Sequence, residues 1–266
     1  MGLITENDGA MDGYEAVELP PDPVVDQRLS AAIFRRPSAL PSRRAVLYPH
    51  CLGDSFVPED LASWYTARGF HFYVADLRPP GHKDQADESK RPRRGRQNRK
   101  ALAACFAGLD LASVYLREVD GVGSLIVSAH GAGAVTAALW CDARRDKKPA
   151  DALILASPAF RRRQRRPLDI ACPVLIVTGP GSPGDWPARD ASSGDVPRRA
   201  GRKCAGFGAH VTWLHLAVGP AAGAEPASRA QTADGGRVAA DRRRFFDEMG
   251  RWLGAYMYGQ VRDQLL

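Results

Sequence analysis

This sequence lacks long apolar runs, and it has no histidine near its C-terminal end. No stretch of the 266 residues approaches the roughly 18 consecutive apolar residues of a membrane-spanning helix, so we predict no membrane span. Residues Met1–Met11 carry Glu6 and Asp8 and lack the basic-then-apolar pattern of a secretory signal, so none is expected. The sequence has 6 histidines, and none lies in Leu216–Leu266. Any histidine-dependent chemistry must therefore come from the chain up to His215.

Cysteine is scarce and scattered. The 5 cysteines are odd in number and none forms a C-x-x-C pair, so neither a disulfide framework nor a zinc site is indicated. They are Cys51, Cys105, Cys141, Cys172 and Cys204. We predict a protein of the reducing cytoplasm that holds no metal and no cofactor.

Length and composition favour a single α/β domain. A chain of this length with 44% hydrophobic residues can bury a large core. The net charge is +7 and the pI is about 9.4. The basic residues are overwhelmingly arginine and accompany abundant Ala, Gly and Pro, which is typical of high-GC coding, as in an actinobacterium. The positive charge is thus partly a compositional bias, and no nucleic-acid partner is predicted.

Apolar runs and helical periodicities alternate from residue 44 onward, which predicts a doubly wound, mostly parallel sheet with helices on both faces. Strands are predicted at Arg44–Tyr48, Phe70–Ala75, Ser124–Val127, Ala152–Ala156, Val174–Thr178 and Val211–Leu216. Helices are predicted at Pro58–Arg68, Ala101–Val119, Ala132–Ala143 and Phe245–Tyr256. Residues 1–43 form an N-terminal segment, in which Tyr14–Leu19 and Ser30–Phe34 are expected to pair as an antiparallel edge hairpin. Residues 44–266 form the main domain.

Two segments lack any periodicity. Asp87–Lys100 is charged and is predicted to be a solvated loop, and Pro220–Gly236 is a low-complexity loop rich in Ala and Gly. The sequence shows no internal repeat and no second domain.

A sharp turn is predicted where the strand before His130 meets the helix that follows. The residues Ala129-His130-Gly131-Ala132-Gly133 match the pattern G-x-S-x-G with glycine at the central serine position. Small residues two positions before and after the centre are needed because strand and helix nearly touch there. Centring the pattern on Ser128 would place Ile126 and His130 at those positions, which is too bulky. Gly131 is therefore the centre, and Ser128 is expected inside the strand.

These residues and four other blocks resemble the α/β-hydrolase superfamily, near the lysophospholipases, monoacylglycerol lipases and serine aminopeptidases. The other blocks are AVLYPHCLGDS at 45–55, GFHFYVADLRPPGHKD at 69–84, ALILASPAF at 152–160 and RWLGAY at 251–256. The order and spacing of the blocks carry the resemblance, which implies an α/β-hydrolase fold.

The resemblance also implies a site. In that superfamily a serine attacks an ester or amide carbonyl, a histidine relays the proton and an acid orients the histidine. Here the serine position holds Gly131. The acid is expected after the strand Val174–Thr178, where Asp195 fits best and Asp185 second. The histidine is expected after Val211–Leu216, where none occurs.

Two further features of those relatives are altered. The oxyanion hole would involve His50, Cys51 and Ala132, but Cys51 replaces the usual glycine. The helical lid that relatives carry between the strands corresponding to Ala152–Ala156 and Val174–Thr178 is minimal or missing, because only Ser157–Cys172 is available there.

Cys51 could itself act as a substitute thiol nucleophile, with His50 or His130 as the base. The other interpretation is a small buried thiol. Equally, His130 could be a proton donor at the floor of a cavity or a structural residue.

Three basic runs could bind anions. Two of them follow strands at the carboxyl edge of the sheet, the edge where parallel strands end and α/β folds bind ligands. Arg93 and Arg94 belong to the first run, and Arg162 and Arg163 to the second. Guanidinium groups bind carboxylates and phosphates in bidentate fashion, whereas a solvated arginine surface is the simpler interpretation.

Together these observations favour a non-hydrolytic pseudoenzyme that binds a small-molecule or anionic ligand. The alternative is an ester or amide hydrolase with Cys51 as nucleophile. The sequence predicts no oligomeric state.

Overall fold

Eight strands form one sheet in the order β1-β2-β4-β3-β5-β6-β7-β8. The computed structural model describes residues 13–17, 32–50, 59–77, 96–158, 168–178, 211–215 and 242–255. The strands are β1 (Glu15–Val17), β2 (Ala32–Arg36), β3 (Arg44–His50), β4 (His71–Asp76), β5 (Ser124–His130), β6 (Ala152–Ala156), β7 (Val174–Thr178) and β8 (Val211–His215). The pairs from β4 to β8 are parallel, whereas β2 is antiparallel to both of its neighbours.

Helices cover both faces of this sheet. They are α1 (Glu59–Thr66), α2 (Arg96–Glu118), α3 (Gly131–Ala143) and α4 (residues 242–255), with a short 3-10 helix at Arg145–Lys147. One core cluster joins one sheet face to α2 and α3, and a second joins the other face to α1 and α4. Strands β6 and β7 are almost entirely apolar because both of their faces are buried. Each fully buried Leu, Ile or Val contributes about 1.5–3 kcal/mol.

The predicted doubly wound α/β fold is confirmed. Strands β1 and β2 pair antiparallel at one end of the sheet, with Ala16 opposite Phe34. Strands β6 and β7 have the predicted bounds.

Several predicted boundaries are shifted, among them the end of β5 and the start of α2, and both of these shifts lie where polar residues occur in an element. Strand β5 continues three residues beyond Val127 to His130, because its last residues still pair with β6. Helix α2 begins at Arg96, although Asp87–Lys100 was expected to be a loop. Arginine, lysine and glutamine have good helix propensity, so a polar first turn can extend a helix whose later turns pack on the core.

Within the described ranges, no helix is long and apolar enough to cross a membrane.

Candidate functional site

The turn between β5 and α3 lies at the carboxyl edge of the sheet. His130 ends the strand with extended angles, φ −122° and ψ 152°. Gly131 follows with φ +52° and is buried at the first position of the helix. A side chain is disfavoured at such a positive φ, and glycine adopts it without steric cost. The sequence pattern and the backbone therefore agree on Gly131 as the centre of the turn.

His130 presents a buried polar atom next to this turn. Its Nε2 is inaccessible to solvent and has no hydrogen-bond partner among the described residues. Burial lowers the pKa of His130 below its ordinary value of 6.5, so the imidazole is neutral near pH 7. A neutral imidazole has one donor and one acceptor nitrogen. A molecule bound here could exchange one hydrogen bond with it.

Two more polar residues end the neighbouring strands. His50 is the last residue of β3, and Asp76, the last residue of β4, is its partner in the parallel register. Strand β3 also pairs with β5, where Leu47 is level with Val127. That pairing ends at Leu47 and Val127, and each strand continues for three more residues, to His50 and His130. The ends of the neighbouring strands β4, β3 and β5 thus carry an acid and two histidines, which we call the strand-end row.

The side-chain alternation of the strands puts this row on the face of α1 and α4. The apolar residues two and four positions before the row belong to the core cluster on that face. They are Val46, Tyr48, Phe72, Val74 and Ile126. The row therefore continues an apolar face with polar groups at the carboxyl edge.

Ser128 lies inside β5, as predicted, and is buried. Its side chain hydrogen-bonds the phenol of Tyr65, which in turn donates to the Sδ of Met249 at 3.4 Å. Burial raises the pKa of Tyr65, and the hydrogen bond with Ser128 offsets part of this effect. The Ser128 hydroxyl is thus engaged by a neutral phenol, which cannot activate it as a nucleophile.

Ser157 is a residue of this edge that the sequence did not indicate. It follows Ala156, the register partner of His130, and is 1% exposed with φ +47°. Its N–H donates to the carbonyl of Val177 at 2.8 Å. A residue before proline normally stays extended, so the Ser157-Pro158 sequence gave no signal of this strained backbone.

Of the predicted site residues, the structure describes His50, His130, Gly131 and Ala132. Ala132 is exposed in the first turn of α3, and its carbonyl accepts a hydrogen bond from Thr136 Oγ1 at 3.1 Å. The remaining candidates lie outside the described residues, as does most of the short segment predicted to replace the lid. They are Cys51, Asp185, Asp195, Arg93, Arg94, Arg162 and Arg163.

In the part of the chain that is described, no three His, Cys, Asp or Glu side chains come together so as to hold a metal ion. The row of Asp76, His50 and His130 is therefore not a metal centre on its own residues. What it offers is hydrogen bonding and proton exchange beside a turn that carries no hydroxyl.

No family model matches this chain, and no curated protein sequence matches it. Solved structures do match. ESTFA in an Fe-lacking apo form is 14% identical, with a TM-score of 0.57 over 91% of this chain and 84% of that one. A bacterial heroin esterase is 15% identical, with a TM-score of 0.53 over 89% and 86%. An alpha-beta serine hydrolase homologue from Coxiella burnetii is 12% identical, with a TM-score of 0.53 over 89% and 97%. At these identities the likeness establishes the α/β-hydrolase fold.

Proposed function

We propose that this α/β-hydrolase-fold protein does not hydrolyse through a Ser-His-Asp triad and instead binds a small molecule at the carboxyl edge of its sheet. The observation that carries the proposal is Gly131, which occupies the turn between β5 and α3 with φ +52°. Glycine has no atom that could attack a carbonyl carbon. Acyl transfer from this position is therefore chemically impossible, while the turn itself is kept.

A second observation, independent of the turn, supports the same conclusion. The segment after β8 contains no histidine, so the usual proton relay has no residue there. Triad residues act as a unit, and their loss leaves only the weak acceleration from binding and oxyanion groups. The nearest alternatives are His50 and His130, which lie on the strand ends themselves.

The neutral imidazole of His130 sets the chemistry of the ligand. It can donate to a carbonyl oxygen or accept from a hydroxyl, but it brings no positive charge near pH 7. Positive charge would come from Arg93, Arg94, Arg162 and Arg163, whose basic runs follow β4 and β6 in the sequence. We propose a ligand with one hydroxyl or carbonyl group for the strand ends and an anionic group for the arginines. A cytoplasmic location fits Cys141 and Cys172, which lie side by side as thiols and form no disulfide.

The alternative function is ester or amide hydrolysis with Cys51 as the nucleophile. This alternative is supported by the sequence position of Cys51, which directly follows His50 at the end of β3. A histidine next to a thiol could lower its pKa and raise its reactivity. Asp76, level with His50, could orient that histidine.

Hydrolysis of p-nitrophenyl acetate and butyrate by the wild type, Cys51→Ala and Cys105→Ala separates the two functions. We expect all three proteins to stay at the rate of the buffer. Turnover that disappears in Cys51→Ala and persists in Cys105→Ala would establish the thiol hydrolase. Cys105 is the matched control because it is a partly buried thiol on α2 near the same edge, with its Sγ 4.0 Å from the carbonyl oxygen of Leu77, just beyond β4.

A further inference from the structure

The C-terminal end of α3 is attached to the segment that leads into β7. The carboxylate of Asp142 accepts the backbone N–H of Asp169 at 2.7 Å. The side chain of Asp169 forms an ion pair with Arg145, just beyond the helix. Leu168 and Ile170 on either side of Asp169 are buried in the same core cluster as α3. The two segments are therefore held in register by contacts that do not involve sulfur.

A pair of cysteines lies at this attachment. Cys141, in the last turn of α3, is 2% exposed and belongs to the core cluster. Cys172, two residues before β7, is partly buried and packs against the same cluster. Their side chains hydrogen-bond each other as two thiols, and no disulfide joins them. Two residues that are far apart in sequence are thus brought to contact distance by the fold.

We propose that Cys141 and Cys172 form a redox-modification site at which hydroperoxides produce an intramolecular disulfide. The Cys172 thiolate attacks one oxygen of hydrogen peroxide, which breaks the O–O bond and gives a sulfenic acid and, with one proton, water. The Cys141 sulfur then attacks the sulfenic sulfur, and its proton leaves with the hydroxyl as a second water. Two thiols lose two electrons in total, and one peroxide is reduced to two waters.

The environments of the two thiols set the order of these steps. The hydrogen bond with Cys172 and the burial of Cys141 raise the pKa of the Cys141 thiol, so that it stays protonated. Cys172 is the more accessible of the two and meets the oxidant first. Cys141 then acts as the resolving thiol, because its sulfur is in contact with Cys172 and its proton passes to the departing hydroxyl as the sulfur attacks.

The disulfide would join α3 covalently to the segment that leads into β7. It closes a loop of about 30 residues that contains the whole of β6, which restricts the unfolded chain. Cys141 is ten residues from Gly131, or about 15 Å along the helix, so the disulfide does not touch the strand-end row. We expect Tm to rise by roughly 5–10 °C on oxidation and to return on reduction.

Peptide mapping tests the proposal directly. The reduced protein is treated with an equimolar amount of hydrogen peroxide, alkylated under denaturing conditions and digested with trypsin. Arginine or lysine lies between every two neighbouring cysteines, so each cysteine falls on its own peptide. We expect one linked pair, containing Cys141 and Cys172, with a mass lower than the sum of the two peptides by two hydrogens. Dithiothreitol should abolish it.

Two variants complete the test. Cys172→Ser removes the partly exposed partner without opening the core, and it should lose both the linked peptides and the rise in Tm. Cys105→Ser should keep both. Recovery of Cys141 and Cys172 as separate alkylated peptides, or of Cys172 as a sulfinic acid without linkage, would overturn the proposal. A linkage of either residue to another cysteine would overturn it as well.

Discussion

His130 and Gly131 are consecutive residues whose backbone φ angles have opposite signs, −122° and +52°. The change of sign ends β5 and begins α3 with no intervening loop. The tight turn leaves a buried imidazole nitrogen beside a position without a side chain. This arrangement, with glycine at the serine position of the G-x-S-x-G pattern, is the observation behind the proposed absence of triad hydrolysis.

The first prediction concerns the strain at Gly131. Gly131→Ala should lower the free energy of unfolding by about 1–2 kcal/mol, because an L-residue is disfavoured at φ +52°. Gly254→Ala is the matched control in α4. A Cβ there meets no atom within 4 Å, so that variant should be neutral or more stable by up to about 1 kcal/mol. Urea denaturation of both variants measures the difference, and equal effects would contradict the strain at Gly131.

The second prediction concerns a serine at position 131. Gly131→Ser places a hydroxyl at the centre of the G-x-S-x-G pattern, yet ester hydrolysis should remain at background. The chain offers no histidine after His215 to accept the serine proton. The assay uses p-nitrophenyl butyrate, with thermal unfolding to show that the variant is folded. A clear gain in kcat/KM would mean that His50 or His130 already serves as a base.

The third prediction follows from the lowered pKa of His130. The unfolded histidine binds a proton as pH falls through about 6.5, whereas the folded one binds it only at lower pH. The contribution of His130 to stability is therefore complete above pH 6.5 and is lost as pH falls towards its folded pKa. The slope is at most about 1.4 kcal/mol per pH unit. Urea titrations of the wild type and His130→Gln should give curves that converge or cross as pH decreases. Parallel curves would show that the imidazole titrates normally.

The fourth prediction concerns Asp110, which joins α2 to α3. Its carboxylate accepts from the indole N–H of Trp140 at 2.9 Å and from Arg144 at 2.8 Å. Asp110→Ala should cost about 1–2 kcal/mol, because the N–H of the fully buried Trp140 loses its acceptor. Asp110→Asn keeps a carbonyl acceptor and should cost less than Asp110→Ala, since the partly exposed ion pair contributes little. Chemical denaturation ranks the two variants, and the reverse order would assign the stability to the ion pair.

The fold could be predicted where apolar runs in the sequence have clear ends. Ala152–Ala156 and Val174–Thr178 are uninterrupted apolar runs, so the bounds of β6 and β7 follow directly from the sequence. The end of β5 could not be predicted in this way, because Ser128 and His130 interrupt the apolar pattern. Both residues are held in the strand by its partner β6, and pairing between strands leaves no trace in local composition.

The candidate site was only partly predictable for the same reason. Gly131 could be located because the turn demands small residues at fixed spacings. That His50, Asp76 and His130 end neighbouring strands depends on the strand order, and the contact of Cys141 with Cys172 depends on how α3 packs. The positive φ of Ser157 contradicts the local preference before proline and comes from its pairing with β7.

Intact-protein mass spectrometry after exposure to a fluorophosphonate tests the central claim most directly. The probe bonds covalently to an activated serine, and an active serine hydrolase serves as the positive control. We predict no added mass on the wild type under conditions that label the control completely. Stoichiometric labelling, mapped by peptide sequencing to any serine of the chain, would contradict the loss of triad hydrolysis and identify the nucleophile.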